Sequence, residues 1–109
     1  LQGLLKTQHA QKKLIGALCA APKALVEAGI LDNKTITSYP GALTEFSGSW
    51  LNTGNAIEVD QHLITGRGPG VALEFALTLV EHLFDKRKRE EVAAALAIVP
   101  NMEQRNARI

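Results

Sequence analysis

The chain has 109 residues, enough for one domain that buries roughly two thirds of its unfolded surface. Hydrophobic residues make up 46% and charged residues 21%, and no apolar run approaches the ~20 residues of a membrane-spanning helix. A formal charge of +1, from 12 basic and 11 acidic residues, supplies no overall field to attract nucleic acid or anionic lipid.

Leu1, Leu4 and Leu5 recur at helical spacing with Lys6, Gln8, Gln11, Lys12 and Lys13 on the remaining face, which predicts a surface helix over 1–13. Leu1 stands where a start would carry Met, with neither a basic n-region nor an apolar h-region after it, so the expectation is a cut and not a signal peptide. Leu14-Ile15-Gly16-Ala17-Leu18 is short and continuously apolar, the pattern of a strand inside a sheet and covered on both faces. Pro22 suits the first turn of a helix that Lys23 to Ala28 continue and Gly29 closes. Asp32-Asn33-Lys34 predicts a turn and Thr35 to Ser38 a β-branched strand. The strand–helix–strand order implies a right-handed parallel crossover, ended by Tyr39-Pro40-Gly41.

Residues 42–55 hold Gly48, Gly54 and the sole Trp50 without a clean period, and predict a short helical turn in an irregular loop. Alternation at Ala56 to Val59 and at His62 to Thr65, around Asp60-Gln61, predicts a hairpin. Gly66-Arg67-Gly68-Pro69-Gly70 then lets the backbone take positive φ and approach another surface closely before the next helix. From Val71 to Phe84, Glu74, Thr78, Glu81 and His82 form a narrow polar stripe. The apolar arc is wider than a surface helix needs, so this helix is expected to pack on the sheet and on a further helix or subunit. Asp85 to Arg89 reads as a charged link, Glu90 to Val99 as an alanine-rich helix, and Asn101 to Ile109 as a solvated tail. An α/β sheet usually has about five or six strands. The expected fold class is therefore α/β with sheet and helices missing before Leu1.

Cys19 is the only cysteine. It cannot form an internal disulfide, which fits a reducing, cytoplasmic compartment. It stands between the apolar strand and the helix beginning near Pro22, where free N–H groups and the helix dipole favour a thiolate. The competing reading is a small buried hydrophobe, because free cysteine is among the most buried residue types.

Ala17-Leu18-Cys19-Ala20-Ala21-Pro22-Lys23-Ala24-Leu25, then Tyr39-Pro40, then Leu63-Ile64-Thr65-Gly66-Arg67-Gly68-Pro69-Gly70 with Glu74-Phe75-Ala76-Leu77, resembles the ThiJ/PfpI superfamily, nearest its parkinsonism-associated protein deglycase branch. The order and spacing match from about Leu14 to Val99. The resemblance implies a flavodoxin-like three-layer sandwich with a mostly parallel sheet, residues 1–109 forming the C-terminal portion of a single domain, and a homodimer. It implies that Cys19 is the elbow nucleophile and redox-sensitive thiol, with the N–H groups of Cys19 and Ala20 facing a developing oxyanion. It also implies a glutamate upstream of Leu1 against the sulfur, and in many members a histidine before the proline of the next strand. That position is Tyr39 here, next to Pro40, and a phenol is a poor base near neutral pH. Tyr39 reads either as a site hydrogen-bond donor or as an aromatic packed at a strand end.

Arg67, Gly68 and Pro69 lack the Lys-Ser/Thr of a P-loop and the spacing of a dinucleotide fingerprint. They read as loop packing against the site or a partner subunit, with Arg67 an interface or ion-pair residue. Glu74 reads as a first-turn acid favoured by the dipole. His9, His62 and His82 are scattered without metal-ligand spacing and read as solvated, so neither a metal nor a cofactor is expected. Lys86-Arg87-Lys88-Arg89 is followed at once by Glu90 and Glu91 without an interleaved aromatic, and reads as a solvated helix start, not an RNA site.

The function expected is cysteine-dependent handling of reactive carbonyls, of glyoxalase or protein deglycase type, on a methylglyoxal-like substrate or glycated groups, in an oxidative-stress protein. The chain alone is expected to be inactive without the missing N-terminal segment or a separate chain that supplies it. The alternatives are a redox sensor or chaperone-like protein using the same thiol, and a peptidase or amidotransferase relative. No membrane or nucleic-acid partner is expected.

Overall fold

Nine elements follow one another through residues 1–96, the part of the chain that the computed structural model describes: α1 (Gln2–Ala10), β1 (Ile15–Leu18), α2 (Pro22–Glu27), β2 (Thr35–Ile36), β3 (Leu51–Asn52), β4 (Ile57–Asp60), β5 (Leu63–Gly66), α3 (Ala72–Leu83) and α4 (Lys86–Ala95). They fall into two compact units, Leu1–Ala76 and Leu77–Ile109.

In the first unit, β1 and β5 run parallel with Ile15 opposite Leu63 and Leu18 opposite Gly66, and β4 pairs antiparallel with β5 across the Gln61-His62 turn. The hairpin expected from alternation is present, shifted by one residue because Gln61 takes the left-handed conformation at the turn (φ +58°). Among the described residues β1 pairs with β5 alone, and Gly16 is exposed. β2 does not join that sheet beside β1; it pairs in parallel with β3, a two-residue strand in the stretch expected to be irregular. Side chains fasten β2 to the hairpin instead. The Thr35 N–H donates to Asp60 Oδ2 at 2.7 Å, and the buried Thr37 N–H donates to Thr65 Oγ1 at 2.9 Å.

The core follows from strand alternation. Ile15 and Ala17 of β1 and Leu63 of β5 meet Leu25 and Ala28 of the α2 segment, together with Ile30, Leu31, Ile36 and Leu43, with Leu5 of α1 packed against the cluster. Pro22 opens α2, and Gly29, with φ +73°, takes the left-handed position just past its end. On the other face of the strand pair, Phe75 at the start of α3 packs against Gly66. Trp50 is half-buried against the core and its ring lies across the face of Gly48, where a Cβ would stand.

In the second unit the basic run Lys86 to Arg89 is the helix start that one reading gave it, and not the charged link read for Asp85 to Arg89. Asp85 caps α4, its Oδ1 accepting the Lys88 N–H at 2.7 Å, so the helix starts at Lys86, four residues before the expected Glu90. Arg87 and Lys88 reach Glu91 at 3.7 and 3.4 Å, and Arg89 reaches Glu81 at 3.0 Å, which balances the basic run locally. The end of the expected alanine-rich helix and the 101–109 tail lie outside the described residues. No helix among the described residues is long and apolar enough to cross a membrane.

Candidate functional site

Strand β1 ends at Leu18 and α2 begins at Pro22, leaving three residues to reverse the chain. Cys19 does this with φ +64°, in the left-handed region where a residue bearing a Cβ is strained. Such a conformation costs on the order of 1–3 kcal/mol and persists only where the surroundings fix it. Here they do so from both sides: the Cys19 N–H donates to the Gly66 carbonyl at 2.9 Å and its own carbonyl accepts the Tyr39 N–H at 2.8 Å. Cys19 is half-buried, not sealed in the core.

The first of these bonds corrects one expectation. The Cys19 N–H, expected to face an oxyanion, is already committed to the β1–β5 ladder. Of the two expected donors, the Ala20 N–H is the one that makes no backbone hydrogen bond among the described residues. The Ala21 N–H turns back to the Leu18 carbonyl at 3.1 Å, closing the elbow.

Tyr39 and Pro40 lie beside this elbow through the main chain. The Tyr39 carbonyl accepts the Ala42 N–H at 2.9 Å, with Pro40 and Gly41 (φ +84°) as the central pair, the arrangement of a type II turn. The Tyr39 side chain is 51% exposed, and its ring passes over Gly68, where a Cβ would sit 3.5 Å from Cδ1.

The Gly66 to Gly70 segment makes the close approaches expected of it, but without positive φ at its glycines. A Cβ at Gly66 would stand 2.6 Å from Leu18 Cδ1 and 2.9 Å from Phe75 Cδ1. Gly68 is fully extended, and Pro69 opens a 3₁₀ turn, Pro69–Val71, that leads into α3. Arg67 bridges to neighbouring backbone: its guanidinium donates to the Gly54 carbonyl at 3.0 Å and its N–H to the Ala56 carbonyl at 2.9 Å. The guanidinium thus ties the loop before β4 to the end of β5. Glu74 lies in the first turn of α3, as expected.

The histidines are not all isolated. His9 Nδ1 and His62 Nε2 are 2.9 Å apart with both rings half-buried, a pair that sequence reading missed because 53 positions separate them. His82 Nδ1 lies 3.0 Å from the Thr78 carbonyl, one helical turn back. No group of three or more His, Cys, Asp or Glu able to hold a metal ion occurs among the described residues.

An α/β chain whose lone cysteine is held strained at a strand-to-helix turn, under a glycine-rich crossing loop, belongs to the class of cysteine-elbow α/β proteins. The chain matches the DJ-1/PfpI family over residues 1–82, and it belongs to that family. It is 40% identical to protein dj-1beta of Drosophila melanogaster over 99 residues, covering 90% of this chain and 53% of that protein. With the glutathione-independent glyoxalase DJR-1.2 of Caenorhabditis elegans it shares 34% identity over 95 residues, covering 87% and 51%. The solved structure of oxidized DJ-1 from Toxoplasma gondii superposes with a TM-score of 0.82 at 35% identity, over 92% of this chain and 54% of that one. The fold is thus the flavodoxin-like α/β fold of these proteins. The chain spans between about a quarter and about half the length of the curated relatives it matches.

Proposed function

We propose that this chain carries the cysteine-bearing half of a protein that handles reactive carbonyls, with Cys19 as nucleophile. The observation that carries the reading is the left-handed Cys19, half-exposed and pinned by the Gly66 and Tyr39 main chains. A side chain on such a turn is presented outward, with its backbone fixed before any substrate arrives. The kinship with a C. elegans glutathione-independent glyoxalase supports it, since a protein thiol can take the part that the thiol of glutathione would otherwise play.

For an α-oxoaldehyde the step is addition of the thiolate to the aldehyde carbon, with the oxygen taking a proton to give a hemithioacetal. A proton then moves from that carbon to its neighbour, giving a thioester of a 2-hydroxy acid, and water releases the acid and the thiol. The sum is oxoaldehyde plus water to hydroxy acid, without external oxidant. In this reading the Ala20 N–H, which makes no backbone hydrogen bond among the described residues, donates to the oxyanion. Tyr39 is not assigned the proton transfer, because a phenol is a weak base near neutrality; that role falls to a carboxylate from outside this chain. Methylglyoxal turnover by the full-length protein and by Cys19→Ala tests the reading: loss of turnover in the variant is expected, and equal rates would remove Cys19 from the mechanism.

Tyr39 in place of a base supports a second reading, in which Cys19 is a sensor that oxidises to the sulfinate. The solved structure of the Toxoplasma relative is of its oxidized form. Intact-mass analysis after mild peroxide separates the two, since a stable gain of two oxygens at Cys19 supports sensing and its absence opposes it.

A further inference from the structure

The pairing of β1 with β5 brings together the residues that precede each strand. His9 lies in the last turn of α1, and His62 is the second residue of the β4–β5 turn, so the parallel register of Ile15 with Leu63 brings their rings together. The centroids are 4.9 Å apart and the planes are inclined by 40°, with His9 Nδ1 and His62 Nε2 at 2.9 Å. At that separation one ring must donate and the other accept, so the contact exists only while at least one imidazole is neutral. A second proton removes the acceptor and sets two cations in contact.

We propose that His9 and His62 form a proton-released clasp that fastens the end of α1 to the β4–β5 turn at neutral pH and lets go in mild acid. The assignment is independent of the chemistry at Cys19.

The surroundings add to the effect. Lys12, just after α1, and Lys34, before β2, face His62 with positive charge, Lys34 being held there by Gln61 Oε1 at 3.1 Å. Asp60 of β4 is the opposing carboxylate, but its Oδ2 is engaged by the Thr35 N–H at 2.7 Å. Burial first, then His9, Lys34 and Lys12, push the His62 pKa below the usual 6.5, and Asp60 offsets only part of this. The unfolded chain therefore takes up a proton at His62 before the folded one does. The stabilisation is complete above pH 6.5 and is lost as the pH falls toward the lowered value in the fold.

The clasp also sits at the root of the ladder that ends at the elbow. The His62 carbonyl accepts the Ile15 N–H at 2.8 Å, the first rung of the β1–β5 ladder, and the Cys19 N–H closes its far end on Gly66. Release at His62 thus loosens the first rung while leaving the core intact.

The test is a histidine NMR titration between pH 8 and pH 5 on the wild-type chain and on His9→Gln, whose side chain can still meet His62 but cannot take a proton. In the wild type the His62 ring should titrate below 6.5, and the Ile15 amide should exchange faster through the same pH range. In His9→Gln the His62 value should rise, and the fall in Tm between pH 7.5 and pH 5.5 should be smaller by about 4 °C. Two wild-type rings titrating independently at ordinary values would overturn the clasp. So would a pH dependence of Tm that is identical in the two proteins. If His9→Gln does not fold, the wild-type titration and Ile15 exchange decide alone.

Discussion

The Tyr39 amide is bonded to the Cys19 carbonyl at 2.8 Å, so the end of the β2 segment and the elbow hold one another in place. The Cys19 amide is bonded in the opposite direction, to Gly66. A left-handed residue with a side chain is thus clamped by its own peptide groups, and the clamp does not use the thiol.

The strain at Cys19 can be measured apart from its chemistry. Cys19→Gly relieves the left-handed conformation, whereas Cys19→Ala retains it. Glycine should therefore be the more stable replacement by about 1 kcal/mol, in spite of its greater unfolded entropy. Urea denaturation of the two variants decides, and an alanine variant as stable as the glycine one would mean that the elbow is not strained.

Thr65 is 1% exposed and its hydroxyl is the acceptor for the Thr37 amide, which has no solvent to turn to. Thr65→Val keeps the volume and removes the acceptor. It should destabilise the fold by about 1–3 kcal/mol, the cost of a buried donor left unpaired, while Thr65→Ser should lose much less by that route. Equal losses in the two variants would show that the methyl group, and not the hydroxyl, is what matters at this position.

Gly66 faces Leu18 and Phe75 at distances that a Cβ cannot share. The Leu18 methyl can swing aside, but the Phe75 ring cannot without moving the start of α3. Gly66→Ala should lower stability by about 1–3 kcal/mol. Trimming Phe75 to Leu in the same chain should make the added cost of the alanine smaller; additive losses would place the clash elsewhere.

Much of this was legible locally. Pro22 and Gly29 bracket α2 as their backbone preferences require, and the period-two runs around Gln61 mark the hairpin. The strand-to-helix position of Cys19 was equally plain, since an apolar run and a first-turn proline flank it. Its left-handed φ was not, because local preference gives that conformation to glycine and only the Gly66 and Tyr39 contacts impose it here. The use of the Cys19 amide followed from a parallel register that the apolar pattern did not specify, and so did the meeting of His9 with His62. β3 was missed because Leu51 and Asn52 are both exposed and make too short a run to alternate. The start of α4 had a local signal in Asp85, three residues before the Lys88 amide it accepts, but four consecutive basic residues outweighed it in the reading of a link.

Trp50 is the only tryptophan in the 109 residues, and its indole rests on the bare backbone of Gly48. Emission excited at the red edge of the indole band therefore comes from the segment before β3 and not from Tyr39 beside the elbow. A change in that light on adding an aldehyde or peroxide would report that an event at the sulfur had reached the loop before β3. A silent signal would leave the event confined to the elbow.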